Sequence, residues 1–373
     1  MLICPNFFDG RFDGIGRVSG AFHEGLGKIN GRPPFVLSAN DPAAAWGAGE
    51  GRCYAQHYYR MMWDAVCGSP RGLPPPVVIV CTHLGLSPVA RFQARRRNAP
   101  YVVFIHGVEC WRRLPARDRW GLQRAAAIFA NSEYTRRVFL EFNPWSAGIR
   151  NRVISLGVAP GIGDDWAPRE HPRLCEEVVV LAVGRISGAA YYQKYRAPDD
   201  IYKGFKNLIL AVGLAAKRVP RLRLAIVGDG DARPELEAWL GGRPERERVS
   251  LLGRVSDAEL QELYATSDVF ALASEGEGFG IAFAEAMAYG LPCVCVRAGA
   301  APEVVQDGVT GLVAEPRNVE DLAAKLLRLA SDHVFRARLG TYARRRFEER
   351  YSTKAFQARI IDAMQEVIGS SVR

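Results

Sequence analysis

Glu277 and Glu285 stand eight residues apart in EGEGFGIAFAEAMAYGLP, residues 275–292, and this stretch carries the most chemistry in the chain. The apolar run that precedes it, 269–273, predicts a buried parallel strand. A glycine turn then opens into a helix predicted over 281–289. Gly290-Leu-Pro292 stops the helix, and a second strand is predicted over 293–296. Such a turn presents backbone N–H groups at a helix N-terminus, where anions bind. The two acids lie about two helical turns apart, roughly on one face. Carboxylates beside an anion site suit neutral hydroxyl groups, not phosphate. A ligand with a sugar, a diphosphate and a ribose meets both demands, which points to a nucleotide-sugar.

The elements that must position these acids recur along the chain. Strands are predicted at 2–4, 35–38, 77–82, 101–105, 127–130 and 152–156. A second series follows at 178–183, 222–227, 249–252, 269–273, 293–296 and 311–314. Strands spaced this way by helical stretches predict an α/β fold with doubly wound parallel sheets, one sheet per half. The Gly/Pro/Asp-rich segment 157–172 is the expected link.

The glycine turn, the two acids, the Gly-x-Pro exit and the segment APEVVQDGVTGLV at 301–313 together resemble glycosyltransferase family 4. These are retaining enzymes with the GT-B fold. The resemblance implies two Rossmann-like domains with an inter-domain cleft. Residues 1–165 would bind the acceptor and 166–354 the nucleotide-sugar. A last helix in 355–373 would cross back to the first domain.

Site residues follow from the same resemblance. Gly184-Arg185 after the strand at 178–183, and Lys203-Gly204 before a helix predicted at 207–218, would hold the donor diphosphate. Two cations at the carboxyl edge of a parallel sheet suit that charge as the sugar departs. Glu277 would hold donor-sugar hydroxyls and Glu285 the ribose. Gly278, Phe279, Gly280 and Ile281 would line the phosphates through the backbone. Arg254 and Val255 would contact the nucleobase. In the first half, Gly16 and Arg17 stand in a glycine loop, ahead of a helix predicted over 18–26, that would face donor phosphates and acceptor. His106 at a strand end would bind the sugar at the reacting face, and Ser132-Glu133 resembles another loop of the family. The catalytic set is therefore His106, Arg185, Lys203 and Glu277. The segment 186–202 is longer than the family's usual connection and reads as a loop over the site.

Other readings are weaker. The third glycine after Gly14-Ile-Gly16 comes one place late for a dinucleotide fingerprint, and no P-loop Gly-Lys-Ser/Thr occurs. This disfavours a nicotinamide dehydrogenase. Asp229-Gly-Asp231 reads as a turn, so no metal and no cofactor is expected. The eight cysteines form no C-x-x-C pair, and reduced, mostly buried thiols are the expectation. A non-catalytic nucleotide-sugar sensor, a phosphorylase, a sugar synthase and an enzyme with a soluble acceptor stay open as alternatives.

Charge sets the expected partners. Residues 1–165 hold 20 Lys/Arg against 12 Asp/Glu, while the remainder holds 29 against 28. The excess peaks between Arg91 and Arg124, with Trp111 and Trp120 among it. Such a patch suits an anionic surface. The expected partners are thus a nucleotide-sugar donor, a glycan or lipid-linked acceptor and an anionic membrane surface, with no nucleic acid. No apolar run is long enough to span a bilayer and the start lacks a signal-peptide layout. A cytoplasmic protein, peripheral on the inner face of the membrane, is the expectation.

Overall fold

A computed structural model of the chain describes residues 1–5, 14–41, 51–66, 76–158, 161–163, 166, 177–188 and 203–371. The chain divides into two compact units, Met1–Ala159 with Thr353–Arg373, and Pro160–Ser352.

The first unit holds β1 (Leu2–Cys4), α1 (Gly14–Asn30), β2 (Val36–Ser38), β3 (Gly51–Cys53), α2 (Tyr58–Val66) and β4 (Ile79–Cys81). It continues with α3 (Ser87–Arg97), β5 (Tyr101–Ile105), α4 (Ala116–Leu122), β6 (Ala127–Ala130), α5 (Glu133–Phe142) and β7 (Asn151–Val153). The sheet runs β3-β2-β1-β4-β5-β6-β7, every pair parallel. Strand order reverses between β1 and β4, the switch point where open sheets bind ligands at their carboxyl ends. β1, β4, β5 and β6 are buried along their whole length, as a sheet covered on both faces requires. α5 starts where Ser132 accepts from the Thr135 N–H, an N-cap.

The second unit repeats the plan with β8 (Val178–Val183), α6 (Phe205–Ala216), β9 (Leu222–Val227), α7 (Arg233–Gly241), β10 (Val249–Gly253), α8 (Asp257–Thr266) and β11 (Val269–Ala271). Then come α9 (Ile281–Ala288), β12 (Cys293–Val296), α10 (Ala301–Val304), β13 (Gly311–Ala314), α11 (Val319–Ser331) and α12 (His333–Arg350). The order is β10-β9-β8-β11-β12-β13, again all parallel, with the switch point between β8 and β11. A reciprocal capping box of Ser256 and Glu259 starts α8.

The last helix, α13 (Thr353–Ser371), packs on α1 of the first unit. Phe356 meets Phe22 edge-on with centroids 6.5 Å apart, and Gln357 bridges Lys28 and Glu24.

The structure corrects several sequence readings. α1 begins at Gly14, four residues before the predicted start, so Gly14-Ile-Gly16-Arg17 is its first turn and not a loop ahead of it. β3 was absent from the predicted strands; it is a polar edge strand of three residues, too short to show periodicity. Several predicted strands run long at their carboxyl ends: β11 ends at Ala271 and β7 at Val153, although the next N–H of each, Leu272 and Ile154, still bonds the neighbouring strand at Val294 and Ala130. Most of the expected link and residues 189–202 of the expected loop lie outside the described residues.

Candidate functional site

In the second unit, the tails of the central strands form a contiguous row. The Gly228 N–H donates to the Gly253 carbonyl, and the Gly184 N–H to the Val227 carbonyl. Gly228 has φ +141°, and a Cβ there would collide with the Gly184 carbonyl oxygen, so the β8 and β9 tails can touch only through glycine. Lys203 lies over Gly184, its side-chain carbons 3.2–3.3 Å from where a Cβ would stand. Lys203 itself has φ +81°, left-handed and uncommon for a residue with a side chain. Gly204, φ +65°, follows it, and a Cβ there would collide with the Ala273 carbonyl beyond β11. The Lys203-Gly204 turn is thus wedged between the tails of β8 and β11, at the switch point.

From that turn the Lys203 ammonium donates to Glu277 Oε1. The pair is sheltered, with side chains 14% and 6% exposed. The Glu277 backbone is held as well, since its carbonyl accepts from the Ala300 N–H at 2.9 Å. Burying two opposite charges together is costly to disrupt by removing one partner. An entering polyhydroxylated anion must share or displace the pair. Beside it α9 starts at Gly280 without a side-chain cap, so its first-turn N–H groups face the same edge with the positive end of the helix dipole. Phe279 is buried edge-on against Tyr351, centroids 5.7 Å apart.

Glu285 has a different partner. The Tyr264 hydroxyl donates to Glu285 Oε2 at 3.0 Å, with both residues buried. The Tyr264 ring stacks on Tyr289, centroids 5.5 Å apart and planes 9° apart. The structure therefore joins Lys203 to Glu277, and Glu285 to Tyr264. Arg185, Arg254 and Val255 lie in the strand tails of the same row, Arg185 and Arg254 exposed.

Two serines that sequence reasoning missed stand here. Ser187 and Ser274 are buried and their hydroxyls have no hydrogen-bond partner. Buried polar groups seldom go unsatisfied, and only their position just past β8 and β11 could have flagged them. The two acids of Asp229-Gly-Asp231 serve the turn, Asp229 Oδ1 accepting from the Gly230 N–H at 2.8 Å and Asp231 Oδ2 from the Gly188 N–H at 3.4 Å. Among the described residues no group of three His, Cys, Asp or Glu is placed to share a metal ion.

In the first unit, His106 follows β5 directly. Its Nε2 lies 2.7 Å from the Thr82 carbonyl, so a neutral ring carries its proton on Nε2 and its lone pair on Nδ1. Its own N–H and carbonyl are bound by Glu109 at 2.5 Å and Asn131 at 2.6 Å. Thr82 Oγ1 pairs with Ser19 Oγ of α1 at 2.8 Å. One backbone–hydroxyl chain thus ties the helix that carries Gly16 to His106. The Arg17 side chain lies outside the described residues. Ser132 is occupied as a helix cap, and Glu133 pairs with Arg136.

A cleft of about 230 Å³ opens at the carboxyl ends of β1, β2, β3 and β4, lined by Pro5, Ala39, Asn40, Gln56, Tyr58 and His83, with Arg117 from α4. The Arg117 Nε donates to Asp118 Oδ1 at 2.8 Å, and its guanidinium lies 5.7 Å from the Tyr58 ring. Burial pulls its pKa down, but the hydrogen bond and charge of Asp118 outweigh this and hold it above its ordinary value. Arg117 belongs to the basic stretch between Arg91 and Arg124 and is exposed, and it also borders this cleft. Trp111 packs edge-on against Tyr134 with its Nε1 buried. Arg91 is held by Trp120 through its ring face, 4.1 Å away, and its carbonyl. Arg95, Arg96, Arg112, Arg113 and Arg119 are exposed.

Cysteine chemistry finds no support. The six described cysteines are free thiols, and burial is the main cause that raises the pKa of each. Cys81 is pushed up to about 12 and Cys53 to about 11, far from the thiolate a nucleophile needs.

Comparison with known proteins places these features. The model of the family "Glycosyl transferases group 1" matches residues 199–346. The chain is 32% identical over 281 residues to a GDP-mannose-dependent alpha-(1-6)-phosphatidylinositol monomannoside mannosyltransferase of Mycolicibacterium smegmatis, covering 69% of this chain and 67% of that protein. It is 36% identical over 146 residues to the sulfoquinovosyl transferase SQD2 of Arabidopsis thaliana, covering 38% of this chain and 28% of that one. Against several such curated relatives the chain spans about half their length or less. Among solved structures, Anabaena Alr3699/HepE in complex with UDP and glucose superposes with a TM-score of 0.69 at 19% identity, covering 98% of both chains. That likeness extends to the fold.

Proposed function

The chain belongs to the group 1 glycosyltransferases, of the family 4 type with the GT-B fold, and on that premise we propose that it is a retaining hexosyltransferase. It moves a hexosyl group from a UDP- or GDP-linked donor to a hydroxyl of a glycan or lipid-linked acceptor, in cell-surface polysaccharide or glycolipid assembly. The observation that carries this reading is the sheltered Lys203–Glu277 pair at the β8/β11 switch point, beside the uncapped start of α9. It sets a cation and a hydroxyl acceptor side by side, as a sugar joined to a phosphate demands.

In this reading the second unit holds the donor. Arg185 and Lys203 neutralise the diphosphate, and the backbone from Gly278 to Ile281 adds N–H donors. Glu277 holds sugar hydroxyls, Glu285 the ribose, and Arg254 and Val255 border the base. The first unit binds the acceptor, with His106 at the reacting face and Gly16 and Arg17 near the phosphates. The bond from the anomeric carbon to the diphosphate oxygen breaks with its electron pair going to the diphosphate. The acceptor oxygen bonds to that carbon on the same face, and its proton passes to a diphosphate oxygen. The protein contributes position and charge stabilisation. No metal takes part, so EDTA should leave turnover intact.

No described helix is long and apolar enough to cross a membrane. The exposed arginines of the first unit support peripheral docking on an anionic bilayer. Calorimetry with UDP, GDP and their glucose and mannose conjugates tests the donor assignment. One nucleotide series should bind, the conjugate included. A folded protein that binds none of them would overturn the reading.

A further inference from the structure

The cleft of the first unit has a chemical character of its own. Its described lining includes Arg117, His83, Asn40 and Gln56, and no Asp or Glu among the described residues. His83 Nδ1 accepts from the Gly85 N–H at 3.1 Å, so a neutral His83 carries its proton on Nε2 and acts there as a donor. Asp118 takes the Nε edge of Arg117 and the Tyr58 ring stands near the guanidinium. Tyr58 is itself fixed through its hydroxyl, which donates to the Gly85 carbonyl at 3.2 Å. The planar Nη fork, the edge that matches a carboxylate or phosphate, is not engaged by Asp118.

The wall that carries Gln56 is held in place at a conformational cost. Ala55 and Gln56 are consecutive non-glycine residues with φ of +46° and +68°. Their N–H groups bond the carbonyls of Asp41 and Ala39 at 3.1 and 2.8 Å, which pins the turn against the β2 tail. His83 also stacks on His106, centroids 6.5 Å apart and planes 24° apart. The cleft therefore lies one imidazole away from the residue assigned to the reacting face.

We propose that this cleft is the subsite for an anionic group of the acceptor, a carboxylate or a phosphate, gripped by Arg117, His83 and Gln56. The proposal rests on the transferase reading for the word acceptor; the anion site itself does not depend on turnover.

The test uses the full chain labelled at the histidine Cε1 carbons and read by NMR, with the nucleotide that binds in calorimetry kept saturating to occupy the donor's phosphate site. The chain has six histidines, and His83→Gln assigns the reporting signal. Inorganic phosphate and L-malate should each shift the His83 signal saturably, and glycerol should not. Arg117→Ala should weaken the phosphate response at least tenfold and Gln56→Ala several-fold, while Arg124→Ala leaves it unchanged. Tighter binding of dihexanoyl glycerol 3-phosphate than of glycerol 3-phosphate assigns the anion to a lipid headgroup, and equal binding assigns it to a soluble acceptor; both support the site. A His83 signal that ignores both anions, or that responds equally in wild type, Arg117→Ala and Gln56→Ala, overturns it. If no nucleotide binds, the donor reading fails, and the same titration run without nucleotide still decides the subsite.

Discussion

The two units share one strand order about their switch points, yet arm the same edge differently. Near the carboxyl edge of the second unit, two carboxylates are buried and each has a partner: Glu277 with Lys203, Glu285 with Tyr264. At the corresponding edge of the first unit, imidazole, amide and guanidinium groups line the cleft, with no Asp or Glu among its described lining residues; Glu109 and Asp118 stand behind it, on the His106 backbone and on Arg117. The fold fixes where a ligand sits, and the strand tails decide what it is. Mixed charge suits a sugar joined to a diphosphate, and a donor-rich edge suits an acceptor with anionic character.

The contrast breaks most sharply if the cations of the second unit are dispensable. Arg185→Ala and Lys203→Ala should each lower kcat/KM by about a hundredfold or more, as removal of a charge stabiliser does. Near-normal turnover of either variant would remove the diphosphate from this edge. Next in size, Glu285→Ala should cost nucleotide binding roughly 1.5–3 kcal/mol, the worth of a charged hydrogen bond. Unchanged calorimetric affinity would end the ribose assignment. In the other unit, replacing Arg95, Arg96 and Arg97 with Ser should weaken binding to anionic liposomes by about 1 kcal/mol per residue at low salt, less at higher salt. Nucleotide affinity should not move. Liposome binding that survives this triple change would place the membrane contact elsewhere. The smallest effect expected is that of Tyr264→Phe, about 1 kcal/mol in nucleotide affinity from one lost hydrogen bond. In the Glu285→Ala background the same change should have no further effect, and full additivity would mean that Tyr264 does not act through Glu285.

Local pattern carried the fold further than it carried the sites. β8 is a continuous apolar run, and its bounds were readable because a strand buried on both faces needs one. β3, Gly51-Arg-Cys53, has no such signature, since an edge strand of three residues pairs only with β2 and carries no apolar run. The acids were legible because turn, helix and stop surround them within 18 residues. Their partners were not. Lys203 lies 74 residues from Glu277 and meets it only because the sheet places β8 next to β11. Tyr264 sits on a different helix from Glu285 and reads in sequence as a core aromatic. The cleft residues Asn40, Gln56, His83 and Arg117 come from separate strand ends and a helix, and strand order alone assembles them.

The proposed reaction takes a nucleotide-sugar held in the second unit and keeps the configuration of its anomeric carbon. The most direct measurement follows donor turnover by proton NMR, with water as the slow acceptor, using whichever α-linked UDP- or GDP-hexose binds in calorimetry. The first sugar released should be the α-anomer, appearing before mutarotation, and Lys203→Ala should abolish its appearance. First release of the β-anomer would rule out retention.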